Sequence, residues 1–382
     1  MAKHIPLAAK YRPKKLEDIV GQPVVVQAFT NAFLNDTLYP AYILAGTWGV
    51  GKTSVGRILA AMLNCETGKT LTPCGQCNNC KEIFSGKSAD VKEINAADNR
   101  GIDDIRALKQ ELGHSAISSR KKIIILDECH SLTGAAAEAA LKMIEEPPAN
   151  VMFILATTEA HKITDTIKSR CILWRFKKID WRELYDHLVK ISKLENFRYE
   201  DEALRIIAKN SEGSARNAVK GLQTAVEYVS GSENVITAKS VMECLGLISE
   251  TVFYNLFKAI GEHKVDEVLS HVNDMFKYGN DIKYIIWTLH TYLGNIEKYR
   301  GLQKTLMNAG GTQDISDLGI FDDGELAQIK MISQNITGKH VEMMRSILLR
   351  CAEGIDHNFN PLAAIEGFAI QSCFVTQISA KK

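Results

Sequence analysis

The chain has 382 residues, with 46 Lys and Arg against 45 Asp and Glu and a formal net charge of +1. No global field therefore recruits nucleic acid, and any such contact must use a local patch. The length allows roughly two or three domains, no apolar run approaches the roughly 18 residues of a membrane span, and "MAKHIPLAAKYRPKK" lacks the apolar core of a signal peptide, which predicts a cytoplasmic protein.

The first predicted element with chemistry attached is the apolar strand "AYILA", bounded by Pro40. "GTWGVGKT" follows, with Gly46, Gly51, Lys52 and Thr53 at the spacing of a phosphate loop. Next comes "SVGRILAAMLN", where Val55, Ile58, Leu59 and Met62 recur at helical spacing. Strand, glycine loop and helix is the context that the motif requires, because backbone N–H groups then close around phosphate oxygens and the helix N-terminus adds a favourable dipole. The loop offers Gly46, Thr47, Trp48, Gly49, Val50, Gly51, Lys52 and Thr53 to ATP, with Lys52 reaching the β- and γ-phosphates and the Thr53 hydroxyl binding Mg²⁺. "TGKT" at residues 67–70 has no glycine at the required earlier position and is a decoy.

Around that decoy stand Cys65, Cys74, Cys77 and Cys80, spaced C-x8-C-x2-C-x2-C among turn residues. A reducing compartment disfavours disulfides. An iron–sulfur cluster is a rival, but the ferredoxin run places a further cysteine where this chain has Phe84. Four thiolates with no histidine fit a closed, structural Zn²⁺ site; free thiols are the remaining alternative. Such a knuckle leaves no open ligand position and so presents or stiffens a surface. Cys129, Cys171, Cys244, Cys351 and Cys373 are isolated and read as small buried residues.

In "AADNRGIDDIRALKQEL", Ile102, Ile105, Leu108 and Leu112 mark a buried helix face, while Arg106 and Lys109 lie on the other side and Arg100 precedes the helix. "KKIIILDECH" supplies a second buried strand that ends in Asp127 and Glu128, where a doubly wound sheet places its ligand. Asp127 can hold the Mg²⁺ shell and Glu128 can polarise the attacking water. Cys129 and His130 read as a small residue and a helix-entry polar group. A third apolar strand, "VMFILA", leads into "TTEAHKITDTIK", a turn and short helix. No proline falls between Pro148 and Pro361, so a long stretch is free to be helical. It contains amphipathic helices from residue 180 to 229, a joint at "LGLISE", and further helices from Thr251 on, divided by "NAGGTQDISDLG".

"KYRPKKLEDIVGQ", "GTWGVGKTS", the four-cysteine knuckle, "ILDECHSLT", "LKMIEEPP" and "ATTEAHKITDTIKSRC" occur in that order. Together they closely resemble the gamma/tau subunits of the bacterial DNA polymerase III clamp loader, densely over residues 10–175 and more thinly beyond. The resemblance implies an α/β AAA+ P-loop ATPase domain, a parallel sheet between helices with an inserted zinc knuckle at residues 65–80, over residues 1–178. A helical lid over 179–243 and a C-terminal helical collar over 244–382 follow from it. It also implies that Thr157, rather than its neighbour Thr158, reads the γ-phosphate, that Arg170 is an arginine finger acting on the next subunit's ATP, and that Arg216 is a second sensor on the lid. Arg12, Val20 and Gly21 fall where the family lines its adenine pocket, and Arg100, Arg106 and Lys109 where it places a basic helix against DNA.

The family departs from this chain at Trp48, a position more often held by a smaller or basic residue, and at Thr164, where proline is usual. The chain stops at Lys382 without a proline-rich extension, which predicts a short gamma-like form. The implied partners are other loader subunits in a ring, expected to be pentameric, a sliding clamp and primed template DNA, with no membrane. The implied activity is ATP hydrolysis that opens the clamp and loads it. Other AAA+ machines, such as a helicase loader or a branch-migration motor, share the ATPase motifs. A non-hydrolysing scaffold subunit is a further reading, against which Lys52, Thr53, Asp127 and Glu128 argue.

Overall fold

The computed structural model describes residues 5–98, 101–112, 116–145, 147–148, 150–230, 235–276, 282–308, 315–318, 320–321, 323–356 and 359–379. They form two compact units, residues 1–241 and 242–382.

The first unit is built on a parallel sheet of β1 (Ala41–Ala45), β2 (Val91–Asn95), β3 (Lys122–Asp127), β4 (Val151–Thr157) and β5 (Ile172–Arg175), in the order β2-β3-β4-β1-β5. The three central strands are apolar along their interiors, between Lys122 and Asp127 in β3 and up to Thr157 in β4, because both faces are covered. Tyr42, Leu44, Ile123, Ile125, Met152 and Ile154 point to one face, where they meet Ile58, Leu59 and Met62 of the helix Lys52–Asn64. The alternate residues Ile43, Ile124, Leu126, Phe153 and Leu155 point to the other. They pack there on Ile105 and Leu108 of the helix Ile102–Leu112 and on Ala140 and Met143 of the helix Gly134–Glu145. This period-two division between two helical layers is what a parallel sheet requires.

The edge strands lack that signature. β2 ("VKEIN") buries mainly Val91, and β5 ("ILWR") has no fully buried residue. Neither therefore carries a continuous apolar run. Asp90, only 1% exposed, tethers the loop that enters β3 by accepting backbone N–H bonds from Ile117, Ser118 and Ser119 at 2.8, 2.8 and 2.9 Å. Burial opposes its ionisation, but these donors outweigh it and hold the carboxyl below its usual range.

Residues 180–229 form the helices Trp181–Leu194, Asp201–Lys209 and Ala215–Val229, whose inner faces bury Leu184, Leu188, Leu204, Ile207 and Leu222. Within this helical region β6 (Arg198–Tyr199) and β7 (Val235–Ile236) pair in parallel, a contact too short to leave a periodic pattern. The second unit is helical among its described residues: Glu250–Gly261, Val265–Phe276, Ile282–Asn308, Asp323–Asn335, Gly338–Asp356 and Pro361–Ser379. The partly buried Tyr292 stacks against the buried Phe253 and Phe257 of its core, with centroids 5.7 and 5.9 Å away. Most of the loop expected at "NAGGTQDISDLG" lies outside the described residues. Of the isolated cysteines, Cys129 and Cys373 are buried, whereas Cys171, Cys244 and Cys351 are only partly so. No helix among the described residues is long and apolar enough to cross a membrane.

Candidate nucleotide site and cysteine cluster

β1 ends at Ala45 and the helix begins at Lys52, so the intervening turn sits at the C-terminal end of the sheet. Gly51 caps the helix at φ +106°, a conformation that side chains rarely adopt. Gly49 is fixed by proximity as well: a Cβ there would stand 2.0 Å from Ser214 Oγ, and its carbonyl accepts from the Arg216 N–H at 3.4 Å. Lys52 is 5% exposed, and its Nζ donates to the carbonyls of Gly46 and Thr47 at 2.7 and 2.8 Å. Burial pushes its pKa down, while the charges of Glu128 and Asp127 oppose that shift. A buried ammonium held by carbonyls and over the Trp48 ring, 6.0 Å from its centroid, is a cation prepared for an anion.

The strand order sets β3, β4 and β1 side by side, so their C-terminal ends converge. Thr53 Oγ1 donates to Asp127 Oδ2 at 2.9 Å, which brings a hydroxyl and a carboxylate to one point, the donor set suited to Mg²⁺. Glu128 is 5% exposed and adopts φ +50°. Its Oε2 accepts from Thr158 Oγ1 at 3.0 Å, whereas its buried Oε1 has no hydrogen-bond partner among the described residues. Thr157 is fully buried, and its Oγ1 lies 3.0 Å from His130 Nδ1 and accepts from the Glu159 N–H at 3.0 Å. His130 Nδ1 is also 3.3 Å from Glu128 Oε2, and its Nε2 is 3.0 Å from Glu159 Oε2. Lys162 bonds the same Glu159 oxygen at 2.8 Å and, with other nearby cations, holds that carboxyl below its usual range.

A cleft of about 770 Å³ extends from the loop residues 48–54, past Asp127 and Glu128, to an apolar end formed by Pro13, Ile19, Val20, Ile179 and Val219. Arg12, Arg57 and Arg216 also line it. Burial, reinforced by the charge of Arg57, lowers the pKa of Arg12. Arg57 pairs with Glu93 on β2 at 2.6 Å and donates to the Phe84 carbonyl at 2.8 Å. Sequence reasoning overlooked Arg57 and Glu93, since only the sheet brings them together. Gly21 does not line the cleft: at φ +72° it packs where a Cβ would meet Ile179 at 2.7 Å. His187, also overlooked, lines the apolar end, and burial lowers its pKa.

The four cysteine sulfurs at positions 65, 74, 77 and 80 all lie within 4.8 Å of one another. A tetrahedral zinc with bonds of about 2.3 Å needs sulfurs about 3.8 Å apart, so the residues fit the ion. Backbone N–H groups point at the sulfurs: Cys77 N to Cys74 Sγ at 3.3 Å, Cys80 N to Cys77 Sγ at 3.4 Å, and Cys74 N to Cys65 Sγ at 3.5 Å. Burial works against ionisation of Cys65, but donors from Cys74 and Thr67 outweigh it and bring its pKa to about 6. Asn79, on the knuckle's helix, donates to the carbonyls of Asn64 and Ser118, both at 3.1 Å, and so ties the cluster to the end of the phosphate-loop helix.

Arg170 is outside the nucleotide cleft. Its Nη2 bonds Glu145 Oε1 at 2.8 Å and its Nη1 donates to the Thr166 carbonyl at 2.9 Å. Arg106 and Lys109 are exposed on their helix, opposite the buried Ile105, Leu108 and Leu112, while Arg100 lies outside the described residues.

Two family profiles match the chain: "DNA polymerase III, delta subunit" over residues 21–180 and "DNA polymerase III subunits gamma and tau domain III" over residues 236–382. DNA polymerase III subunit gamma of Buchnera aphidicola (from Schizaphis graminum) is 31% identical over 97% of this chain and 98% of its own length. The tau subunit of Bacillus subtilis is 30% identical over 97% of this chain and 63% of its own length, and that of Escherichia coli 37% identical over 70% and 41%. The chain thus spans nearly all of the Buchnera gamma subunit and under two thirds of these tau subunits. It belongs to the family of DNA polymerase III gamma and tau subunits.

Proposed function

We propose that the chain is an ATP-driven motor subunit of a clamp loader, which hydrolyses ATP to ADP and phosphate, opens a sliding clamp and loads it onto primed template DNA. The observation that carries this reading is the convergence of Lys52, the Thr53–Asp127 pair and the buried Glu128 in one cleft, in a chain of this family. In it Lys52 holds the β- and γ-phosphates and Thr53 with Asp127 holds Mg²⁺. Glu128 is the base that polarises water, and Thr157 faces the γ-phosphate. Arg216 contacts the phosphates from the lid, and the apolar end beside Arg12 and Val20 takes adenine. Residues 1–178, 179–243 and 244–382 act as ATPase domain, lid and collar. The collar joins the chain to other loader subunits in a ring, and Arg106 and Lys109 face DNA phosphates.

The test is ATP turnover with and without a cognate clamp and primer–template DNA. Clamp and primed DNA together are expected to raise the rate well above either alone. A rate indifferent to the clamp but raised by branched DNA would point to a branch-migration motor and reject the reading.

The cysteine cluster is a structural Zn²⁺ site in this reading. Metal analysis is expected to find one zinc per chain and no iron. Cys77→Ser should lose the metal yet keep most ATP affinity, because Lys52 and its carbonyl partners lie outside the cluster. Stoichiometric iron, or no metal at all, would refute the assignment.

A further inference from the structure

We propose that His130 is a positioning residue that ties the γ-phosphate-facing hydroxyl of Thr157 to the carboxylate of Glu128, an inference that rests on the ATPase reading above. The ring stands among three groups. Its Nδ1 is 3.0 Å from Thr157 Oγ1 and 3.3 Å from Glu128 Oε2, and its Nε2 is 3.0 Å from Glu159 Oε2. A carboxylate can only accept, so Nε2 presents a proton to Glu159 and Nδ1 presents one that the Thr157 oxygen and Glu128 Oε2 share. The same hydroxyl oxygen accepts from the Glu159 N–H at 3.0 Å. The Thr157 oxygen is therefore held by two donors, and its own proton is left to point elsewhere.

A γ-phosphate oxygen is also an acceptor. When Thr157 donates to it, its oxygen becomes a better acceptor and draws the shared Nδ1–H toward itself, so engaging ATP and drawing that donor away from Glu128 are one event. Glu128 Oε2 thereby loses its share of the Nδ1 donor. Oε2 is then left to the Thr158 hydroxyl, while Oε1, buried and without a hydrogen-bond partner among the described residues, is the oxygen poised for water. The planar ring thus converts occupancy at Thr157 into placement of Glu128. ADP, lacking the γ-phosphate, leaves the Nδ1 donor shared between Thr157 and Glu128.

The experiment compares His130→Phe, which keeps the ring's bulk without nitrogens, with His130→Asn, whose amide reaches the place of Nδ1. The readouts are kcat and KM for clamp- and DNA-stimulated hydrolysis and equilibrium binding of ADP. His130→Phe is expected to lower kcat by about 10²-fold, the effect of misplacing a reacting group by an ångström, with KM and ADP affinity unchanged. His130→Asn should recover part of the loss. Wild-type kcat in His130→Phe, equal activity of the two variants, or loss of ADP binding in both would overturn the inference and leave the ATPase reading standing. Normal turnover by Glu128→Gln, measured alongside, would overturn the inference by removing Glu128 from the chemistry, whereas no ATP hydrolysis by the parent chain would overturn the ATPase reading.

Discussion

Glu128→Gln is expected to bind ATP as tightly as the parent chain and to hydrolyse it about 10²–10⁴ times more slowly, the usual range for losing a positioned general base. The amide preserves shape, and its oxygen can still accept from Thr158, which bonds Glu128 Oε2 at 3.0 Å. What it cannot do is take a proton from water. Asp127 and Thr53, 2.9 Å apart, remain to hold Mg²⁺, so binding should survive. The backbone supports the role: Glu128 sits at φ +50°, a left-handed conformation that costs a non-glycine residue about 1–3 kcal/mol and persists where the surroundings demand it. The expected product is a trapped ATP state that engages the clamp without releasing it. Single-turnover hydrolysis with labelled ATP, beside equilibrium binding of the same nucleotide, reads both halves. A normal turnover rate would remove Glu128 from the chemistry.

The parts of this site that could be read from the chain alone are those whose partners lie nearby in sequence or at the end of an apolar run. Lys52 is held by carbonyls five and six residues earlier, and Asp127 ends a strand whose residues Ile123 to Leu126 are all buried. The central strands β1, β3 and β4 declare themselves because two helical layers demand apolar residues on both faces. β2 and β5, at the sheet's edges, bury too little to be distinguished from loop or helix by pattern. His130 reads as a helix-entry polar group because, Glu128 apart, what engages it lies far along the chain. Its partners Thr157 and Glu159 come from the end of β4 and beyond, which only the β3–β4 pairing makes neighbours. The same pairing brings the Thr158 hydroxyl to Glu128. Gly21 shows the converse. A glycine near the expected adenine site is explained by its positive φ and by the close approach of Ile179, with no place in the cleft wall.

Arg170→Ala is expected to keep ATP affinity and to lose clamp- and DNA-stimulated hydrolysis by roughly 10³–10⁵-fold, the range that an arginine finger supplies in GTPases. The fold argues that any such finger acts on a neighbour. Arg170 lies two residues before β5, and its partner Glu145 ends the helix that leads into β4, so the pair lies at the N-terminal end of the parallel strands. Asp127, Thr157 and the phosphate loop occupy the opposite, C-terminal end. A side chain bonded to Glu145 at 2.8 Å at that end serves its own ATP poorly, while a copy or partner packed against this edge could receive it. Exchange of Glu145 for a phosphate oxygen is chemically conservative, since both are anionic oxygens that guanidinium binds through paired N–H donors. The deciding experiment mixes Arg170→Ala with Lys52→Ala, each inactive for a different reason. In exchanging oligomers some interfaces then pair an intact loop with an intact finger, and activity should rise above the sum of the separate variants. Mixtures that never exceed that sum, under conditions where subunit exchange is demonstrated, would reject catalysis across the interface and with it the ring.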